Sequence, residues 1–106
     1  MPDLQNKPTL SQLQSYVAEA VKERGFQDET VSEMFMLFLE ECGEFAKAAR
    51  KADGAIKTDQ SSRHFDLGTE AADVLSYLLD ICNHFNIDLE TAFREKEAIN
   101  NTRTWQ

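Results

Sequence analysis

The sequence predicts an all-α fold, a four-helix bundle-like domain, on three observations. Apolar residues recur at helical spacing in four separate stretches, no stretch alternates as a β-strand would, and the 106 residues include only four Gly and two Pro. This length suits one domain, so a single unit over residues 1–106 is expected, with the first nine or so residues fraying. A bundle this small gains stability from association.

The elements follow in order. Thr9 or Ser11 can cap a first helix reaching about Arg24, with Leu10, Leu13, Val17, Ala20 and Val21 in register and Gly25 breaking the pattern. Asp28 or Thr30 caps a second helix running to about Ala52. Its expected core stripe is Val31, Met34, Phe35, Phe38, Cys42, Phe45 and Ala49. From Asp53 to His64 periodicity stops, and this polar stretch reads as an inter-helix linker, with a mobile flap as the alternative. A third helix is expected over roughly Phe65 to His84, with Leu67, Ala71, Val74, Leu75, Leu78, Cys82 and Phe85 as its apolar stripe. Asp88 then caps a fourth, carried by Leu89, Ala92, Phe93 and Lys96 to about Asn101.

Charge and composition exclude some functions. Eleven Lys and Arg against nineteen Asp and Glu give a net charge of −8, which argues against binding long nucleic acids by bulk electrostatics. A single nucleotide carried with its metal is not excluded. The N-terminus has no apolar signal core, and the longest apolar run, Met34 to Leu39, falls far short of the roughly 20 residues of a membrane span. A cytoplasmic protein without membrane partners is the expectation. Cys42 and Cys82 sit in apolar patterns and read as small hydrophobes, and His64 and His84 show no ligand spacing.

The chemistry concentrates in two acidic turns. Glu41 and Glu44 on the second helix, and Glu70 and Asp73 on the third, are each three residues apart, so each pair lies about 60° apart on one helical face. Like charges at this spacing repel by a few tenths of a kcal/mol, roughly. A shared cation would turn that repulsion into attraction, and carboxylate-only ligation suits a hard ion such as Mg²⁺ or Mn²⁺. If the two helices pack antiparallel, the acidic turns meet, and convergence then requires the metal. Gly43 inside this run is a poor helix residue, easier to accept where a ligand or another helix approaches closely. Tyr77 shares the face of Asp73, one turn on. Lys96, Asn100 and Arg103 follow at four- and three-residue spacing, a set suited to phosphate oxygens. Phe35, Phe38, Tyr77 and Trp105 are the aromatic candidates for stacking on a base.

Four ordered blocks carry a resemblance. Leu39-Glu40-Glu41-Cys42-Gly43-Glu44-Phe45-Ala46, then Glu70-Ala71-Ala72-Asp73-Val74-Leu75-Ser76-Tyr77, then Ile87-Asp88-Leu89-Glu90, then Lys96 through Asn100 to Arg103, resemble the MazG-type nucleotide pyrophosphohydrolases of the all-α nucleoside triphosphate pyrophosphatases. The resemblance covers about Thr30 to Trp105. It implies a Mg²⁺-dependent enzyme that cleaves between the α and β phosphates of a nucleoside triphosphate, leaving a monophosphate and pyrophosphate, with clearance of non-standard nucleotides as one role. It implies Glu41, Glu44, Glu70 and Asp73 as metal ligands, Glu41 or Glu44 as the group that positions or deprotonates water, and Glu40 as a helper. Lys96, Asn100, Arg103 and Tyr77 would contact substrate, and the chain would assemble as a homodimer or homotetramer. Two other readings stand beside it: a metal-nucleotide-binding or interaction bundle without catalysis, and a ferritin-like di-metal protein. The second wants Glu-x-x-His motifs that this chain lacks.

Overall fold

The structure, a computed structural model, describes residues 2–54 and 67–105. Four helices make up its regular structure: α1 (Leu10–Glu23), α2 (Val31–Asp53), α3 (Leu67–His84) and α4 (Leu89–Asn100). No strand occurs among the described residues. The all-α expectation therefore holds. The flap expectation and the placing of Phe65 and His64 fall outside the described residues.

Local chemistry sets the helix ends. Thr9 and Thr30 cap α1 and α2 through reciprocal capping boxes, in which each Thr hydroxyl accepts from the backbone N–H three residues on. The third-position Gln12 and Glu33 side chains accept in return from the cap N–H. At α4 the Asp88 carboxylate accepts from the Thr91 N–H and hydroxyl, which holds its own pKa below the ordinary carboxylate value.

The C-termini of α1 and α3 close by one device. At α1, Gly25 has φ +77°, the Gly25 N–H donates to Lys22 O, and the Phe26 N–H donates to Val21 O. At α3, Asn86 takes the left-handed position at φ +56°, with Asn86 N–H to Asn83 O and Ile87 N–H to Cys82 O. These are paired Schellman closures, and Asn is the side-chain-bearing residue that tolerates this backbone best.

The chain forms two compact units. One comprises the chain up to Asp28 together with Leu79 onward; the other is Glu29–Leu78. In the first, α1 lies against α4, and Ala20, Leu79, Ile81 and Cys82 are buried. Gln14, buried in the apolar register of α1, ties the α3–α4 turn down. Its Nε2 donates to Ile87 O, its Oε1 accepts from the Leu89 N–H at 3.1 Å, and its backbone carbonyl accepts from Asn83 Nδ2 at 2.9 Å. A buried amide is tolerable because both ends of its side chain are satisfied.

In the second unit the buried residues of α2 are Met34 and Ala48. This corrects the expected stripe: Phe35 is 42% exposed, Ala49 is exposed, and Phe45 stands at 36%. The inward face is turned from the sequence-based one, because α2 carries apolar residues on two sides and periodicity alone does not say which side is covered. The same holds in α3, where Leu67, Leu75 and Phe85 of the expected stripe are exposed. Among the described residues, no helix is long and apolar enough to cross a membrane.

Candidate metal centre

Met34, Glu41 and Ala48 are spaced at successive heptads, so all three lie within about 40° of one another around α2. Glu41 thus falls in line with the two buried residues of its helix, and it is itself half-buried. An apolar residue there would make an ordinary core contact. A carboxylate instead brings an acidic group inward, toward the start of α3.

There it meets the second acidic turn. One oxygen each of Glu41, Glu70 and Asp73 lies within 4.8 Å of the others, a spacing at which one cation touches all three. Burial raises the Glu41 pKa above the ordinary 4.5, and the charges of Asp73, Glu70, Glu40 and Glu44 push it further the same way. The site is thus both desolvated and crowded with like charge. Each effect favours a bound cation.

Glu44, one turn beyond Glu41, stands outside that closest trio but bears on it electrostatically. Its Oε2 is buried and has no hydrogen-bond partner among the described residues. A buried carboxylate oxygen without a donor is costly, and a metal ion or a water held by one satisfies it. An all-oxygen donor set with an orphaned acceptor beside it fits a hard divalent cation such as Mg²⁺. Of the four expected ligands, three converge directly and the fourth presents an oxygen in need of a partner. Glu40 is exposed and contributes charge alone.

The other candidates divide. Tyr77 is half-buried one turn past Asp73, about 40° around the helix from it. Lys96, Asn100 and Arg103 belong to the other unit. Lys96 and Arg103 are exposed, and the Arg103 guanidinium lies 6.0 Å from the Trp105 ring centroid, a cation–π contact that leaves guanidinium edges open. Asn100 Oδ1 is a second buried acceptor without a partner among the described residues. Phe35 lies about 120° around α2 from Glu41, so its ring does not share the acidic face. Cys82 is buried and its thiol is pushed up by burial, the behaviour of an inert hydrophobe. His84 packs edge-on to Phe85 at 5.0 Å and faces Asp80, whose pKa burial raises and His84 partly lowers.

Gly43 does not serve the acidic turn. It lies about 160° around α2 from Glu41, on the outer face, and a Cβ added there would meet nothing within 4 Å. Among the described residues nothing requires glycine at this position, although it costs a helix interior about 1 kcal/mol relative to Ala. Sequence reading also passed over Gln14. A polar residue within the apolar register of Leu10, Leu13 and Val17 was the signal available.

No family profile matches this sequence, and no curated protein matches it. Among solved structures the chain is similar to YpjD from Bacillus subtilis, described as a candidate pyrophosphatase. The TM-score is 0.79 with 24% identity, over 94% of this chain and 100% of that one. The similarity shows a common fold.

Proposed function

We propose that this chain is a MazG-type nucleoside triphosphate pyrophosphohydrolase, dependent on Mg²⁺ with Mn²⁺ as a substitute, that releases pyrophosphate and a nucleoside monophosphate. The observation that carries the reading is the convergence of Glu41 with Glu70 and Asp73 from two helices. The fold shared with a candidate pyrophosphatase supports it. Glu41, Glu44, Glu70 and Asp73 would hold the metal. Bound there, a divalent cation supplies charge neutralisation for the triphosphate and orients its oxygens for in-line attack.

The chain's own groups do the rest. Glu44, whose Oε2 is buried and without a partner among the described residues, would accept the proton of the attacking water. Glu41, whose pKa burial and neighbouring carboxylates raise, would share that role. Lys96 and Arg103 bind phosphate oxygens and stabilise charge on departing pyrophosphate, and the orphaned Asn100 Oδ1 accepts a hydrogen bond from the substrate. Tyr77 borders the nucleoside. The chain works as a single cytoplasmic domain in a homodimer or homotetramer.

The test is product identity. Purified protein incubated with each common and modified nucleoside triphosphate plus Mg²⁺ should give pyrophosphate and monophosphate from at least one. Orthophosphate and diphosphate would refute the cleavage position. Binding of Mg²⁺-nucleotide without turnover would replace the enzyme reading with a binding one.

A further inference from the structure

Helix α4 carries Lys96 and Asn100, yet no core sets its direction. Among the described residues none of α4 is buried as a whole. Between the start of α1 and α4 lies an open groove of about 510 Å³, lined by Leu10 on one side and by Phe93, Glu97 and Ala98 on the other. A helix with so little apolar cover takes its direction from its first turn. That turn is held by polar bonds from α1. Ser11 and Gln14, three residues apart, share one face of α1. The Ser11 hydroxyl donates to Asp88 Oδ1 at 3.4 Å. Gln14 reaches the residues on either side of Asp88: its Nε2 donates to Ile87 O, and its Oε1 accepts from the Leu89 N–H at 3.1 Å. Leu89 opens α4, so this N–H is one of the donors that a helix cannot satisfy by itself.

We propose that Gln14 is a positioning residue that aims α4, and with it Lys96 and Asn100, through one amide bonded to both Ile87 and Leu89. The amide is 8% exposed and bonded at both ends, which only a group with a donor and an acceptor can reproduce. A carboxylate could not donate to Ile87 O, and an apolar side chain could do neither. The lever is long. At about 1.5 Å per residue, Lys96 lies roughly 10 Å and Asn100 roughly 16 Å beyond Leu89. A tilt of about 10° at the turn moves them by roughly 2 and 3 Å. Misplacing a substrate-contacting group by about 1 Å costs a reaction roughly 100-fold. The hold on α4 rests on these bonds alone, and its effect on turnover rests on the pyrophosphohydrolase reading.

The experiment compares Gln14→Leu, which keeps the size of the side chain, with Asn83→Ala. The second variant loses the 2.9 Å bond from Asn83 Nδ2 to the Gln14 backbone carbonyl and leaves the bonds to Ile87 and Leu89 in place. Residual dipolar couplings of the amide N–H groups give the angle between α1 and α4 in the full chain. That angle should shift by about 10° or more in Gln14→Leu and hold its wild-type value in Asn83→Ala. Below the melting temperature of both variants, kcat/KM for a Mg²⁺-triphosphate should fall roughly 100-fold in Gln14→Leu and less than about threefold in Asn83→Ala. The Kd for Mg²⁺ alone should be unchanged in both. A wild-type angle in Gln14→Leu overturns the proposal, and so does a kcat/KM that falls equally in both variants or in neither. A wild type that turns over no triphosphate overturns the pyrophosphohydrolase reading instead, and the angle then decides on Gln14 by itself. If Gln14→Leu loses helicity by circular dichroism, Gln14→Glu at pH 8 replaces it and is read the same way.

Discussion

Asp73→Asn should make the metal-free protein more stable, not less. The substitution removes one of three carboxylates whose oxygens lie within 4.8 Å of one another. A pair of unit charges at that distance repels by roughly 0.9 kcal/mol in bulk water and roughly 3.5 kcal/mol at an effective dielectric of 20. These groups are part-exposed and screened by salt, which draws the value to the lower end, about 1 kcal/mol. For a domain of this size that is a rise of about 4 °C in Tm. The assay is thermal unfolding followed by circular dichroism at pH 8 in EDTA and again in Mg²⁺. The wild type should gain from the metal, by about 2.7 kcal/mol at 100 times its Kd, and the variant should gain less than half as much. A lower Tm in EDTA together with an undiminished Mg²⁺ gain would refute the shared-cation reasoning.

Other outcomes follow from the same geometry. Glu41 and Asp80 both have raised pKa values, so their contribution to stability is present below their ordinary values of 4.5 and 3.8 and is lost as pH rises through the folded-state values. The urea midpoint in EDTA should therefore fall as pH is raised from 4.5 toward neutrality, and Mg²⁺ should flatten that fall; a rising midpoint would contradict it. Gln14→Ala strands the Ile87 carbonyl and the Leu89 N–H, and should cost about 2 kcal/mol in urea unfolding. Gly43→Ala should raise stability by about 1 kcal/mol in urea unfolding, because among the described residues the new methyl meets nothing within 4 Å.

The helix ends were legible because a cap is a conversation between a side chain and backbone three residues away. Thr30 with Glu33, Asp88 with Thr91 and the left-handed Gly25 need no knowledge of the rest of the chain. The acidic site was legible for a different reason. Two carboxylate pairs on successive helices are unfavourable apart from a common ligand, and the structure brings three of the four within reach of one ion. The buried side of α2 was not legible. Met34 and Met36, or Phe38 and Leu39, are equally apolar, and which of them faces inward depends on where α3 lies. Gln14 was hidden for the same kind of reason: its partners Ile87 and Leu89 are more than seventy residues distant in sequence.

The central claim is that these carboxylates carry out hydrolysis between the α and β phosphates. Pyrophosphate release from a turned-over Mg²⁺-triphosphate by the wild type and by Glu44→Gln, measured side by side, tests it most directly. The account predicts equimolar pyrophosphate and monophosphate from the wild type, and release at least 100-fold slower, roughly, from a variant that melts at the wild-type temperature or above. Equal pyrophosphate release from both proteins would contradict it.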